Sequence, residues 1–258
     1  RDHRVLGLPI DMVLLLGGAT VLAAMLQTAT GIGFGLIAGP FVLMALQGRD
    51  AIEATALLSL LITLVLAPKL LPDVNRRDLV NLTIGCAVGL PVGLLIYLHA
   101  DVLVLKLGAA AMIMMVLGMM FFPIRATKQG AGTFERTGGV AAGVSAGVLG
   151  ACLAMPGPVA AVFLVRQGRG KIAIRATMLT FFVFALGAAL GLQIIVDGLS
   201  ARVLEVSALL APACAVGLVI GHFAVKRVSE RAFQRLLQVV LAGTVMSLLA
   251  SSYSELIS

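Results

Sequence analysis

The chain has 258 residues, 60% of them apolar and 12% charged, with a mean hydropathy of +1.09. A soluble domain is roughly 45–50% apolar and about 25% charged, and no fold of this length hides such an excess of hydrocarbon from water. A soluble enzyme, a nucleic-acid-binding domain and a disordered chain are excluded, and the formal charge of +7 reads as the loop charge of a membrane protein.

A helix needs about 20 apolar residues to cross the hydrocarbon core. Near-continuous apolar runs without strand-like alternation predict helices at about 10–29, 32–47, 51–71, 79–98 and 102–122. The first run has the length of a signal-peptide core, but comparable segments follow along the whole chain, so it is read as structure. The chain opens at Arg1 rather than Met, and residues before it are expected to be missing. A polar linker, Pro123 to Arg136, precedes five more runs at about 138–153, 157–166, 172–196, 203–225 and 232–250. Backbone groups in lipid must be satisfied within the segment, so all ten are helical. The expected fold is an all-α polytopic membrane protein with 8–10 transmembrane helices in two inverted repeats of five segments. Residues 1–122 form repeat 1, 123–136 a cytoplasmic linker and 137–258 repeat 2.

The repeat is visible in short matches. Gly39-Pro40 corresponds to Gly157-Pro158, Gln47-Gly48-Arg49 to Gln167-Gly168-Arg169, and Ala54-Thr55 to Ala176-Thr177. Gly85, Gly89 and Gly93 on the fourth segment match Ala213, Gly217 and Gly221 on the ninth. The first two runs of each half lack a hydrophilic loop between them. Only Thr28-Ala29-Thr30-Gly31 separates the first pair, and Met155-Pro156-Gly157-Pro158 breaks the second. Each pair is expected to be a hairpin whose turn lies at membrane depth.

A hairpin plus three crossings is an odd number, which inverts the second half. Loops then divide between two faces. One collects 14 of the 19 basic residues and 4 acidic ones; the other has 5 basic and 8 acidic. By the positive-inside rule the basic face is cytoplasmic, which puts both termini on the non-cytoplasmic side of the inner (cell) membrane.

Inverted repeats with interrupted helices are a transporter architecture in which the substrate sits where half-helix ends converge. Helix N-termini there present free N–H groups that suit an anion. The expected substrate-binding residues are Gln27, Thr28, Thr30, Gly31, Gly33, Gly35, Pro40, Thr55, Gly150, Cys152, Pro156, Gly157, Pro158, Arg175 and Thr177. For Gly85, Gly89, Gly93, Gly139, Gly143 and Gly147 close helix packing is the better reading. The run GIGFG is not a dinucleotide fingerprint, because it lacks a preceding strand.

These motifs carry a family resemblance. A glycine-rich turn, an apolar stretch with Pro40, Ala54-Thr55 opening the next helix and a second copy of the unit resemble the sulfite exporter TauE/SafE family over essentially the whole chain. Its members show a run like GIGGG, which Phe34 interrupts here, and Cys152 and Pro156 replace glycines in the second copy. The resemblance implies a secondary transporter, an exporter of sulfite or an organosulfonate such as sulfoacetate. The alternatives are an anion channel, an uptake carrier for another small organic anion, or an intramembrane enzyme.

The remaining ionisable and thiol groups give little support to the enzyme. Cys86, Cys152 and Cys214 lie inside apolar runs with no metal-ligand spacing, and His3, His99 and His222 have no spacing that pairs them with Cys152. No catalytic residue, metal or cofactor is expected. Glu53 and Arg175 are expected as interfacial anchors, Arg175 with the alternative of attracting a cytoplasmic anion. Lys106 is expected to snorkel, and His222 to pack in a hydrogen bond or relay protons. No Asp or Glu is expected in mid-span, so a uniporter is compatible with the sequence. The expected partners are a small anion, the lipid bilayer and, as an option, a second copy in a homodimer.

Overall fold

The computed structural model describes residues 4–5, 8–31, 33–121, 133–224, 238 and 241–246. After a two-residue antiparallel pairing of Arg4–Val5 with Leu8–Pro9, these residues form helices α1 (Ile10–Thr30), α2 (Phe34–Leu46), α3 (Arg49–Leu70), α4 (Arg76–His99) and α5 (Val102–Phe121), then α6 (Thr133–Leu153), α7 (Gly157–Arg166), α8 (Lys171–Asp197) and α9 (Ala201–Ala224). One turn of 3-10 helix, Leu71–Asp73, joins α3 to α4. Of the tenth expected segment only residue 238 and residues 241–246 are described, and they are helical; residues 122–132 of the linker region lie outside the description. Helices α1, α3, α4, α6, α8 and α9 are long and apolar enough to cross a membrane. The fold is that of an all-helical, multi-pass membrane protein.

Local sequence sets the breaks. α1 ends where Gly31 takes a left-handed φ of 82° and its N–H reaches back to the Gln27 carbonyl at 2.8 Å. α2 then starts from Gly33 at φ 126°, a conformation open only to glycine at little steric cost. In the second copy Ala154 takes φ 54° and Pro156 begins the next helix, which has Pro158 in its first turn where no backbone donor is needed. The helix after each turn is short: α2 spans about 20 Å and α7 about 15 Å at 1.5 Å per residue, too little to cross a core of about 30 Å. α4 begins at Asn75, whose side chain accepts the Asp78 N–H at 3.1 Å.

The helices carry apolar residues all round, so burial is decided by side-chain size and not by an amphipathic face. On α4, Ile84, Val88, Val92 and Leu95 are 48–61% exposed, a stripe that only lipid satisfies. Another side of the same helix carries Gly85, Gly89 and Gly93, laid against Val140, Val144 and Val148 of α6; Gly143 and Gly147 answer from α6 against α4 backbone at Leu82 and Cys86. α9 meets α1 in the same manner, with Gly217 against Val21 and Ala24, and Gly221 against Met25 and Thr28. In both pairs the residue numbers rise together, so the paired helices run parallel. Small residues let the backbones approach closely where no hydrophobic effect drives association.

The packing partners are exchanged between the two halves of the chain. The first helix of each half lies along the fourth of the other (α1 with α9, α6 with α4), the third helices pack together (α3 with α8), and each first helix folds back on its own second. At one end Arg49 bonds Asp197 at 3.0 Å and the Leu98 carbonyl, which gathers the loops after α2, α4 and α8. Arg169 bonds Asp78 at 2.7 Å at the other end, where the loops after α3 and α7 meet. These are the two loop groups that differ in charge. Arg49 and Arg169 occupy corresponding sequence positions, and each ties its own end.

Two expectations for charged residues are corrected here. Lys106 is wholly buried instead of snorkelling. It shares a helical stripe with Ala109, Ala110 and Ile113, all buried, so the packed side of α5 takes it inward. Glu53 is 3% exposed inside the bundle and is no interfacial anchor. His222 is exposed, its ring edge-on to Phe223 at 5.7 Å.

Candidate anion site

The turn between α1 and α2 is buried at Gly31, at the start of α8. It abuts the first turns of α8: a Cβ on Gly31 would lie 3.1 Å from the Arg175 carbonyl oxygen and 3.4 Å from Met178 Cβ. Beside this contact is a cavity of about 370 Å³ lined by Ala29, Thr30, Leu70, Lys171, Ile172, Ile174 and Arg175. That volume falls in the range of small-molecule sites, about 300–1,000 Å³. Its walls are largely apolar, and its polar groups come from two helices meeting end to start. Thr30 Oγ1 donates to the Leu26 carbonyl at 2.9 Å, which holds the hydroxyl at the rim.

Arg175 is the electrostatic centre of this cavity. It is half-buried, and its Nε is enclosed without a hydrogen-bond partner among the described residues. The other arginines that tie helices here, Arg49 and Arg169, each have a carboxylate. A guanidinium partly withdrawn from water without a counter-charge is unfavourable, and its planar fork can match a carboxylate, sulfite or sulfonate through paired hydrogen bonds.

The turn between α6 and α7 goes elsewhere. Ala154 and Met155 lie against Gly35, and the Met155 terminal methyl faces Gly39 and the Thr55 methyl. Gly39, Thr55, Leu153 and Met155 surround a void of only about 10 Å³, about the least that admits one water. The seam along α2 from Gly35 to Gly39 is therefore shut, while the Arg175 cavity is open.

The expected site residues thus separate. Thr30, Gly31 and Arg175 come together at the cavity. Gly35 and Thr55 meet the second turn at the shut seam, and Pro40 is buried in α2, one residue past Gly39. Gly150, Cys152, Pro156, Gly157 and Pro158 are buried around that turn; a Cβ on Gly150 would sit 3.3 Å from Pro156. Gly33 caps α2. Three residues have structural work: Gln27 exchanges two hydrogen bonds with Ser59 of α3, at 3.1 and 2.9 Å, Thr28 faces α9 at Gly221, and Thr177 accepts the Asn75 N–H at 3.1 Å. Gln193 supplies a comparable tie in the second half, donating to the Ala151 carbonyl at 2.8 Å. Thr55 donates to its own helix at Ala51, 2.7 Å away.

Leu70 and Lys171 belong to the cavity and are not legible as such in the sequence. They lie 101 positions apart, and only the packing of α3 on α8 brings them together. Tyr97, which reaches Glu53, gave no signal beyond being one of two tyrosines. Among the described residues no cluster of His, Cys, Asp or Glu could hold a metal ion.

A scan against protein families matches residues 16–248 to the family described as "Sulfite exporter TauE/SafE". The chain belongs to this family. The match covers nearly the whole sequence, both turns and the Arg175 cavity included, and identifies a membrane transporter of the sulfite-exporter type. No curated protein and no solved structure matches the chain.

Proposed function

We propose that this family member carries sulfite or an organosulfonate such as sulfoacetate out of the cell, and that Arg175 holds the anion at the open end of the bundle. The observation that carries the reading is the Arg175 guanidinium, whose enclosed Nε has no hydrogen-bond partner among the described residues, at a cavity of suitable size. Lys171 adds a second positive charge at the rim, and basic loops at this end concentrate anions at its mouth. In this reading the positive-inside rule assigns the cavity to the cytoplasmic side and both termini to the outside.

Alternating access then requires the shut seam at Gly39, Thr55 and Met155 to open as the cavity closes. The exchange of packing partners supports two halves of opposite orientation: α1 ends where α8 begins, while α6 runs parallel to α4, which begins beside the loop that precedes α8. Such halves rock against each other about a site between them.

The test is sulfite efflux from proteoliposomes. A carrier gives saturable flux and counterflow; flux linear in concentration with no counterflow shows a channel. Arg175→Ala removes a charge-assisted pair of about 1.5–3 kcal/mol and raises the half-saturating sulfite concentration by about tenfold to a hundredfold. An Arg175→Ala protein that folds and transports with unchanged half-saturation refutes the site.

A further inference from the structure

The end of the bundle opposite the cavity holds a carboxyl group that the anion site does not use. Glu53 lies in the second turn of α3 and is 3% exposed. The Tyr97 hydroxyl of α4 donates to its Oε1. Its Oε2 is enclosed with no hydrogen-bond partner among the described residues. The cation of this cluster, Arg49, is engaged elsewhere: it pairs with Asp197 at 3.0 Å, donates to the Leu98 carbonyl and lies over the Tyr97 ring, 5.6 Å from its centre.

The surroundings of Glu53 are acidic on balance. Arg49 and Asp50 share its helix, α4 brings Tyr97, and α8 brings Asp197. α2 offers no titratable group, and Arg202 and Glu205 of α9 lie at the same end without a hydrogen bond or ion pair to Glu53. An ionised Glu53 would be a buried carboxylate with one oxygen unsolvated and two other acids close by, which is strongly unfavourable. A protonated one is neutral and still accepts from Tyr97 through Oε1.

Arg49 also joins three helices at this end: its own α3, α4 through Leu98 and α8 through Asp197. Releasing those two bonds removes the ties that Arg49 makes between α3, α4 and α8 at this end. It would let water, or Arg49 itself, reach Glu53. We propose that Glu53 is a proton-binding site that locks this end of the transporter: the proton resides on Oε2 while the Arg49 latch is closed and passes to water when the latch opens. The inference rests on the geometry of this end and is independent of which anion the cavity takes.

The sign follows from linkage. The closed latch binds the proton more tightly than the open one, so acid favours closure and alkali favours opening, by up to about tenfold in the equilibrium per pH unit for one proton. No anion is needed to see this.

The experiment is hydrogen–deuterium exchange of the full chain in lipid nanodiscs without substrate. It reads peptides spanning Arg49–Thr55 and Leu95–Ala100 from about pH 5 to pH 9, corrected for intrinsic exchange. In the wild type, protection at both peptides falls together as pH rises. E53Q, which copies the protonated carboxyl, stays protected throughout, and D197N, which frees Arg49, is unprotected even in acid.

Several results would overturn the proposal. One is a wild type whose protection does not change with pH. Another is a transition that survives in E53Q, which would belong to a different group such as His99. D197N as protected as the wild type would show that the latch does not hold this end. E53Q that fails to fold would also count against it, because glutamine has the shape and neutrality of the protonated carboxyl in the closed state.

Discussion

The parallel seam between α4 and α6 gives a prediction whose size follows from the geometry. In Gly93→Ala the new Cβ lies 2.8 Å from both Val148 Cα and Ala151 Cβ. Carbon pairs rest at about 3.5–4.0 Å, so the helices must part by about 1 Å, since neither obstacle can swing away. A gap of that size forfeits about half of each contact of 0.1–0.2 kcal/mol, and over about 40 pairs, the number one buried leucine makes, the loss is about 3 kcal/mol. The better helix propensity of alanine offsets up to about 1 kcal/mol. The net of about 2 kcal/mol lowers Tm by about 4–8 °C in a chain of this size. The assay is thermal unfolding of purified protein in detergent, read by a thiol-reactive dye; Cys86, on α4 against this seam, is fully buried until it opens. Gly18→Ala on α1 is the control, because nothing lies within 4 Å of its Cβ position, and its Tm holds or rises. A Gly93→Ala protein that melts with the wild type, or a Gly18→Ala protein that falls as far, refutes the reasoning.

Two further outcomes follow from burial. Asp78 is fully buried and its Arg169 partner 28% exposed; Asp78→Asn strands the guanidinium and lowers stability by about 1–3 kcal/mol, less than a fully buried pair would lose because Arg169 keeps some water, and the same melt checks it. Cys86, Cys152 and Cys214 are at most 8% exposed, so a membrane-permeant maleimide leaves all three unlabelled in folded protein, and Cys152→Ser transports sulfite as the wild type does. Rapid labelling of Cys152 with loss of transport would revive the intramembrane enzyme.

Helix positions were legible in the sequence because lipid makes apolar run length nearly sufficient to define a helix. The expected run at 157–166 coincides with α7, and most other boundaries agree within three residues. The breaks at Gly31 and Pro156 were legible too, since a left-handed φ and a missing N–H leave marks in residue type. Glycine spacing announced the packing of Gly85, Gly89 and Gly93. What escaped was the direction in which a buried side chain points when a helix is apolar all round. Lys106 and Glu53 were placed at the surface by the cost of burying charge alone, yet the stripe of Ala109, Ala110 and Ile113 and the reach of Tyr97 decided otherwise. The site was half legible. Thr30 stood out as a polar group beside a break and Arg175 as a cation near a helix start, but Thr177 and Gln27 look equally suitable and are engaged in holding helices. Leu70 and Lys171 enter only through tertiary packing.

The crossed pairing of α1 with α9 and of α4 with α6 has a consequence for how the protein is made. When α4 leaves the ribosome, the helix that covers its glycine face is still more than fifty residues from being finished, and α1 must wait for about 190 more residues before α9 is complete. Through most of synthesis the first half therefore sits in the bilayer with its two longest seams unfilled, held by the α1–α2 fold and the Gln27–Ser59 hydrogen bonds. Closure is set by the last helices to arrive, a high-contact-order assembly that is slow for its length. Quality control acting on this chain would read the C-terminal third, and truncations that reach α9 would expose the α1 face of Val21, Ala24, Met25 and Thr28 rather than simply remove a terminal helix.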